Sequence, residues 1–130
     1  MPISVTVLRE MFRNLQSWRS LYEVGGPDVI TGLDGQDYCI HDITHLYTAS
    51  QATRANAKGQ REPVLSPRQA QAIRMFLFEN MLEKDVARRM GVSETNPVAS
   101  YATQGLIRLL ALAEQGQLAL APAGPAARAA

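Results

Sequence analysis

The chain has 130 residues, of which 13 are Lys or Arg and 12 are Asp or Glu, so its formal net charge is +1. This length fits one domain with a modest core, or a small domain with an appended helical layer, and the charge excludes the global basic field of a histone-like protein. The lone cysteine, Cys39, excludes an internal disulfide. No apolar run approaches the roughly 20 residues of a membrane span, and no signal peptide is evident, so we expect a cytoplasmic protein.

The charges are distributed unevenly along the chain. Residues 20–53 contain five acidic residues and no Lys or Arg, whereas residues 54–89 contain eight basic and four acidic residues. An acidic half followed by a basic half indicates that only the second half faces phosphates. The alternative is that the two halves attract each other.

Residues 1–55 are predicted to form an N-terminal helical layer. An amphipathic helix is expected over residues 3–22, with these apolar residues on one stripe: Leu8, Met11, Phe12, Leu15, Trp18, Leu21 and Tyr22. Asp34-Gly35 between short apolar runs predicts a small β-hairpin at about residues 28–40. A second helix is expected from about Asp42 to Ala55, with Ile43, Leu46 and Tyr47 inward.

Two further segments have the composition of connecting chain. Residues 56–63 are polar and contain Gly59, which predicts a linker. Residues 117–130 are rich in Ala, Pro and Gly, which predicts a flexible tail. Between them, residues 64–116 are predicted to form a separate DNA-binding domain.

This domain is expected to consist of three consecutive helices. Ser66 and Pro67 provide an N-cap and a first helical residue. The apolar positions of the first helix recur at helical spacing: Ala70, Ile73, Phe76 and Leu77. Leu82, Val86 and Met90 continue an apolar stripe on the second helix. The expected fold is therefore mainly α.

A tight turn is predicted at Gly91-Val92-Ser93, between the second and third helices. Ala87 is small enough to let two helices approach, and Gly91 can adopt a positive φ. The spacing after Gly91 indicates a turn one residue longer than usual, with the last helix starting at Pro97, because an interior proline would cost about 3 kcal/mol. The predicted buried face of that helix is Val98, Tyr101, Ala102, Gly105, Leu106 and Leu109.

The segments LSPRQAQAIRMFLFENMLEKDVARRMGVS and YATQGLIRLL resemble region 4 of bacterial sigma factors and related helix-turn-helix regulators. The stretch MGVSETNPVASYATQGL is more closely similar to small sigma-like proteins of actinobacteria and their phages. The resemblance covers residues 64–112 and implies a helix-turn-helix that lays its last helix in a DNA major groove. Nothing in the chain resembles sigma region 2, so we do not expect a complete sigma factor.

The outward face of the last helix provides the candidate base readers: Thr95, Asn96, Ala99, Ser100, Thr103 and Gln104. The face lacks the basic residues that the sigma pattern usually has near its start, which argues against guanine recognition. Candidate contacts to the DNA backbone are Arg68, Lys84, Arg88, Arg89 and Arg108. Under the structural alternative, Asn96 is an N-cap and the other residues are solvated helix positions.

Catalytic and metal chemistry are not expected. Asp37, Cys39, His41, Asp42 and His45 cluster in sequence, but no second Cys/His pair follows, so packing histidines are favoured over a metal site. No group orients Cys39 as a nucleophile, and no glycine-rich segment is followed by the Lys-Ser or Lys-Thr of a phosphate loop. We therefore expect a protein that is not an enzyme and needs no cofactor.

The favoured hypothesis is a sequence-specific, DNA-binding transcriptional regulator whose partner is double-stranded DNA, acting with RNA polymerase or as a homodimer and without a membrane. Few basic residues lie around the predicted helix-turn-helix, so a single copy would bind duplex weakly. Useful affinity would therefore need one of these partners. Two alternatives remain open. One is a protein that binds polymerase or a sigma factor, and the other is a small terminase or excision factor of a phage.

Overall fold

The computed structural model describes residues 3–92 and 96–116, which are mainly helical with two small antiparallel hairpins. Helix α1 spans Val5–Glu23, and strands β1 and β2 span Val29–Thr31 and Asp37–Cys39. Helix α2 spans Ile40–Ser50 and is followed by strands β3 and β4, Thr53–Ala55 and Arg61–Pro63. Helix α3, Pro67–Ala72, continues as a π-helical segment, Ile73–Phe78, and precedes helices α4, Glu83–Met90, and α5, Asn96–Glu114.

Helix α1 follows the predicted amphipathic pattern. The Ser4 hydroxyl accepts a hydrogen bond from the Val7 amide and so caps the helix. Its buried residues are Val7, Leu8, Met11, Phe12 and Leu15. Leu21 was predicted on the same stripe but is 57% exposed. At 100° per residue, Leu21 lies about 120° around the helix from Leu15, which takes it away from the core.

The first hairpin confirms the prediction at residues 28–40. Strands β1 and β2 pair antiparallel, with Ile30 opposite Tyr38, and Gly35 in the turn has a φ of 77°. The Tyr38 hydroxyl donates to Asp34 Oδ2 at 2.6 Å. This hydrogen bond lowers the pKa of Asp34 and raises the pKa of Tyr38 to about 12. Ile30 is the buried residue of the hairpin and fixes it to the core.

The predicted linker at residues 56–63 is wrong. Helix α2 ends at Ser50 rather than near residue 55, and strands β3 and β4 then form a second antiparallel hairpin. Its turn is built by the Asn56 side chain, which accepts hydrogen bonds from the Lys58 and Gln60 amides at 2.9 and 3.0 Å. Because asparagine and glycine stabilise such turns, the polar composition of this segment reflects a tight turn rather than loose chain.

The end of α3 departs from the predicted regular helix. Ser66 and Gln69 form a capping box at its start. Farther along, the chain widens into the π-helical segment, where the Glu79 amide donates to the Arg74 carbonyl at 2.8 Å. Leu82, predicted on the apolar stripe of the next helix, is 62% exposed because it is the N-cap residue of α4 rather than an interior position.

An aromatic cluster ties this π-helical segment to the amino-terminal helices. The Phe78 ring stacks on Tyr47 with centroids 4.0 Å apart, and Tyr47 meets Phe12 edge-on at 5.6 Å. The Arg13 guanidinium lies 4.5 Å from the centroid of the Phe76 ring. Such contacts add to the apolar burial that joins α1, α2 and the π-helical segment.

The main core is continuous across the boundary predicted at residues 56–63. Its buried residues come from both halves of the chain, including Leu8, Phe12 and Ile43 on one side and Ile73 and Leu106 on the other. A second, smaller cluster lies under α4 and consists of Met75, Val86, Ala87 and Val98. Helix α5 therefore packs on the amino-terminal layer and, through the smaller cluster, on α4.

Candidate nucleic-acid interface

Helix α4 ends where the sequence predicted a turn. Gly91 has a φ of 73°, in the left-handed region that favours glycine, and the cap amides donate to the Ala87 and Arg88 carbonyls. Residues 93–95 lie outside the described part of the chain, so Ser93 and the candidate reader Thr95 cannot be placed in the site. Helix α5 begins at Asn96, next to the predicted start at Pro97; the side chain of Asn96 is also outside the described residues.

Apolar contacts fix α4 and α5 relative to each other. Val86 and Val98 are fully buried and belong, with Ala87, to the same small cluster. Met90 and Val92 pack against it as partly buried residues. These are the apolar positions that the sequence assigned to this helix pair and its turn.

Helix α5 has a buried face that largely matches the prediction. Val98, Ala102, Leu106 and Leu109 are buried, whereas Tyr101 is half-buried. Gly105 is buried where α5 approaches the segment that follows α3. A Cβ at this position would lie 2.8 Å from Ile73 Cδ1, so the small residue permits the close packing.

The opposite face of α5 carries an exposed stripe, which we define as Ser100, Gln104 and Ile107. The Gln104 amide donates to the Ser100 hydroxyl at 3.3 Å, one helical turn away. Ile107 is 53% exposed. Beside the stripe is an open recess of about 260 Å³, lined by Gln104, Ile107, Arg108, Ala111, Leu112 and Gln115.

Thr103 does not share this exposure. It was predicted to face outward as a base reader, but it is half-buried, and the Arg9 Nη2 group of α1 donates to its hydroxyl at 2.7 Å. Ala99 is also half-buried. Both residues lie on the same edge of the stripe by helical periodicity, and α1 approaches this edge at Thr103. The predicted reading face is therefore narrower than the sequence suggested, with Ser100 and Gln104 as its accessible polar positions among the described residues.

The predicted backbone contacts fall into two groups. Lys84, Arg88 and Arg89 are exposed on α4, and Arg88 lies 3.5 Å from Asp85. Arg68 and Arg108 instead donate hydrogen bonds to other groups of the protein. They lie at the edge of the exposed stripe that is opposite to Thr103. The Arg68 guanidinium donates to the Tyr101 hydroxyl at 3.1 Å, and Arg108 Nε donates to the Val64 carbonyl at 3.2 Å.

The exposed stripe of α5 and the arginines at its edges can recognise a ligand through hydrogen bonds and charge. The side-chain amide of Gln104 can donate and accept at once, which suits the edge of a base pair. Guanidinium groups at the stripe's edges match the geometry of phosphate oxygens. Sequence reasoning missed Arg9, since its one visible signal was a basic residue off the apolar stripe of α1.

The cluster around Cys39 does not assemble into a ligand set. Among the described residues, no group of three or more His, Cys, Asp or Glu side chains could hold a metal ion. His41 packs edge-on against Tyr22, with ring centroids 5.1 Å apart, and its Nε2 atom is buried without a hydrogen-bond partner in the described part of the chain. These contacts are those of a packing histidine.

Comparison with known proteins adds no assignment. The chain matches no protein-family model, no curated protein and no solved structure. The resemblance to sigma region 4 thus stays a prediction from the sequence. Among the described helices, none combines the length and the apolar character needed to cross a membrane.

Proposed function

We propose that this chain is a sequence-specific, DNA-binding transcriptional regulator that uses α4 and α5 as a helix-turn-helix. The observation that carries the proposal is the exposed stripe of α5, which presents Ser100 and Gln104 on a helix firmly packed from behind. A helix displayed in this way can enter a major groove with its polar side toward the bases.

Base recognition is assigned to Gln104 first and to Ser100 second. A glutamine amide can form paired hydrogen bonds with adenine, and a serine hydroxyl can meet several base edges. In the free protein these two side chains bond to each other, so binding exchanges that contact for contacts to bases. We do not assign base reading to Thr103, because its hydroxyl is already engaged by Arg9.

Contacts to the DNA backbone are assigned to the exposed cations of α4, Lys84, Arg88 and Arg89. With Arg68, they would neutralise three or four phosphates, which corresponds to a slope of log affinity against log salt of about −3. Such a slope is shallow, so we infer that useful affinity requires a second copy of the chain or RNA polymerase to hold the module on DNA.

A second candidate function is binding to polymerase or to a sigma factor in the cytoplasm. Ile107 favours it, because this exposed apolar side chain borders an open recess that a partner's side chain could fill, whereas an aliphatic side chain offers no hydrogen bond to a base edge. Capture of purified core polymerase by the chain after nuclease treatment, with no duplex binding, would favour this function over the first.

The deciding experiment is selection of duplexes from a random pool, followed by affinity measurements and footprinting on the enriched sequence. Gln104→Ala should weaken binding to the enriched site by about 1–3 kcal/mol. The matched control is Gln115→Ala, which removes an exposed glutamine just after the end of α5, on the same side as Gln104 and about 16 Å further along, and should leave affinity unchanged. A pool that yields no enriched sequence, with no duplex binding even at low salt, contradicts the proposal.

A further inference from the structure

Two arginines from different elements flank the exposed stripe of α5. Arg9 of α1 donates to Thr103, and Arg68 of α3 donates to Tyr101. At 100° per residue, Thr103 and Tyr101 lie about 80° to either side of the line through Ser100 and Gln104. The stripe is therefore bordered by a guanidinium group on each side, and both are supplied from outside the helix-turn-helix pair, one by α3 and the other by the amino-terminal helix α1.

We propose that Arg9 binds a DNA backbone phosphate, so that α1 forms the second side of the nucleic-acid interface. This inference rests on the proposed function. A helix in a major groove has a sugar-phosphate strand on each side of it, and the groove is about 12 Å wide. Arg68 and Arg108 lie at the edge that faces one strand, and Arg9 is the cation held at the opposite edge.

The surroundings of Arg9 leave its charge available. Arg9 is half-buried, but among the described residues no carboxylate lies within ion-pair distance of its guanidinium, and Glu10 accepts instead from Asn14 at 3.1 Å. A guanidinium has five N–H donors, so the bond to Thr103 leaves donors for phosphate oxygens. Thr103 then acts as a positioning residue, because its hydroxyl holds the guanidinium beside the stripe.

The test compares duplex binding by full-length variants over a series of salt concentrations, with the enriched duplex and a random-sequence duplex as probes. Arg9→Ala should weaken binding to both probes about tenfold, in keeping with one charge-assisted hydrogen bond, and should flatten the salt slope by about one unit. The matched control is Arg19→Ala, which removes the same charge from an exposed position on α1, about 15 Å away along the helix axis. It should leave the slope unchanged.

Two further variants separate the effect of the Arg9 charge from effects on folding and on the position of the guanidinium. Arg9→Gln keeps a donor for Thr103 but removes the charge, so it should fold like the wild type and still show the flattened slope. Thr103→Val keeps the charge and removes the acceptor, so it should weaken both probes equally and leave the sequence preference intact. A change of sequence preference in Thr103→Val would instead make Thr103 a base reader and overturn its positioning role.

The outcomes distinguish this inference from the proposed function. If the wild type binds duplex while Arg9→Gln and Arg19→Ala behave alike, Arg9 makes no specific phosphate contact and the inference is overturned, but the regulator proposal stands. If the wild type binds neither probe at low salt, the proposed function fails, and the inference fails with it.

Discussion

The backbone geometry of a single residue, Gly91, allows helix α4 to end. Its φ of 73° is strained for residues with a Cβ, yet a Cβ built there would meet no atom within 4 Å among the described residues. The requirement for glycine is therefore conformational rather than steric.

Replacing Gly91 should consequently destabilise the protein through the backbone alone. Gly91→Ala is expected to lower the free energy of unfolding by about 1–2 kcal/mol, because the left-handed region is unfavourable for residues with a Cβ. Gly91→Asn should cost less, since asparagine tolerates this region. Urea denaturation measures both, and an equal loss for the two variants would contradict the conformational explanation.

Residue by residue, the sequence predicted much of the candidate site but not its edges. Ser100 and Gln104 could be placed on an exposed face because helical periodicity alone determines which side of α5 is apolar. Thr103 was misplaced, and Arg9 was missed, because their contact joins residues 94 positions apart in the sequence. No local pattern reports such a pairing, which depends on how α1 crosses α5.

Whole secondary-structure elements were likewise predictable only where a local sequence pattern marks them. The first hairpin was predictable because Asp34-Gly35 lies between short apolar runs. The second was missed because its strands are mostly polar, with Arg54 opposite Glu62, and no alternating apolar pattern marks them. The π-helical segment was also missed, since its apolar residues satisfy an ordinary helical period nearly as well.

At the scale of elements, Tyr47 reports on the aromatic contact between α2 and the π-helical segment. Burial raises the pKa of its phenol to about 12, above the value of about 10 in an unfolded chain. The unfolded state therefore loses the Tyr47 proton first. The contribution of the protonated Tyr47 phenol to the free energy of unfolding is therefore fully present below pH 10. It is lost progressively as the pH rises from about 10 to about 12.

Tyr47→Phe should accordingly reduce the fall in the free energy of unfolding over this interval, relative to the wild type. The control is Tyr38→Phe. The pKa of Tyr38 is also raised to about 12, but the main cause is its hydrogen bond with Asp34 on the exposed hairpin, where solvent screening reduces the effect on stability. Denaturant melts at a series of pH values measure the two slopes. A larger change in Tyr38→Phe than in Tyr47→Phe would contradict the role given to burial.

At the scale of the whole molecule, the shared core determines whether the predicted DNA-binding segment, residues 64–116, can fold alone. Ile73, Leu77 and Leu106 are fully buried in a cluster that includes Leu8 and Phe12 of α1. A fragment of residues 64–116 would expose this surface to water. We expect it to lack a cooperative thermal transition, and its circular dichroism during heating would show this.

A nicked protein tests the same point without removing any residue. A protease site inserted in the turn between β3 and β4 allows the folded chain to be cut, and the two pieces should stay together on a sizing column because they share one core. Phe12→Ala, which should cost about 3–5 kcal/mol at a fully buried position, should make the nicked pieces separate while the uncut variant remains folded. If fragment 64–116 instead melts cooperatively and the nicked wild type separates, residues 64–116 form an independent domain. The contact of Arg9 with Thr103 would then be a contact between domains rather than part of a single folded unit.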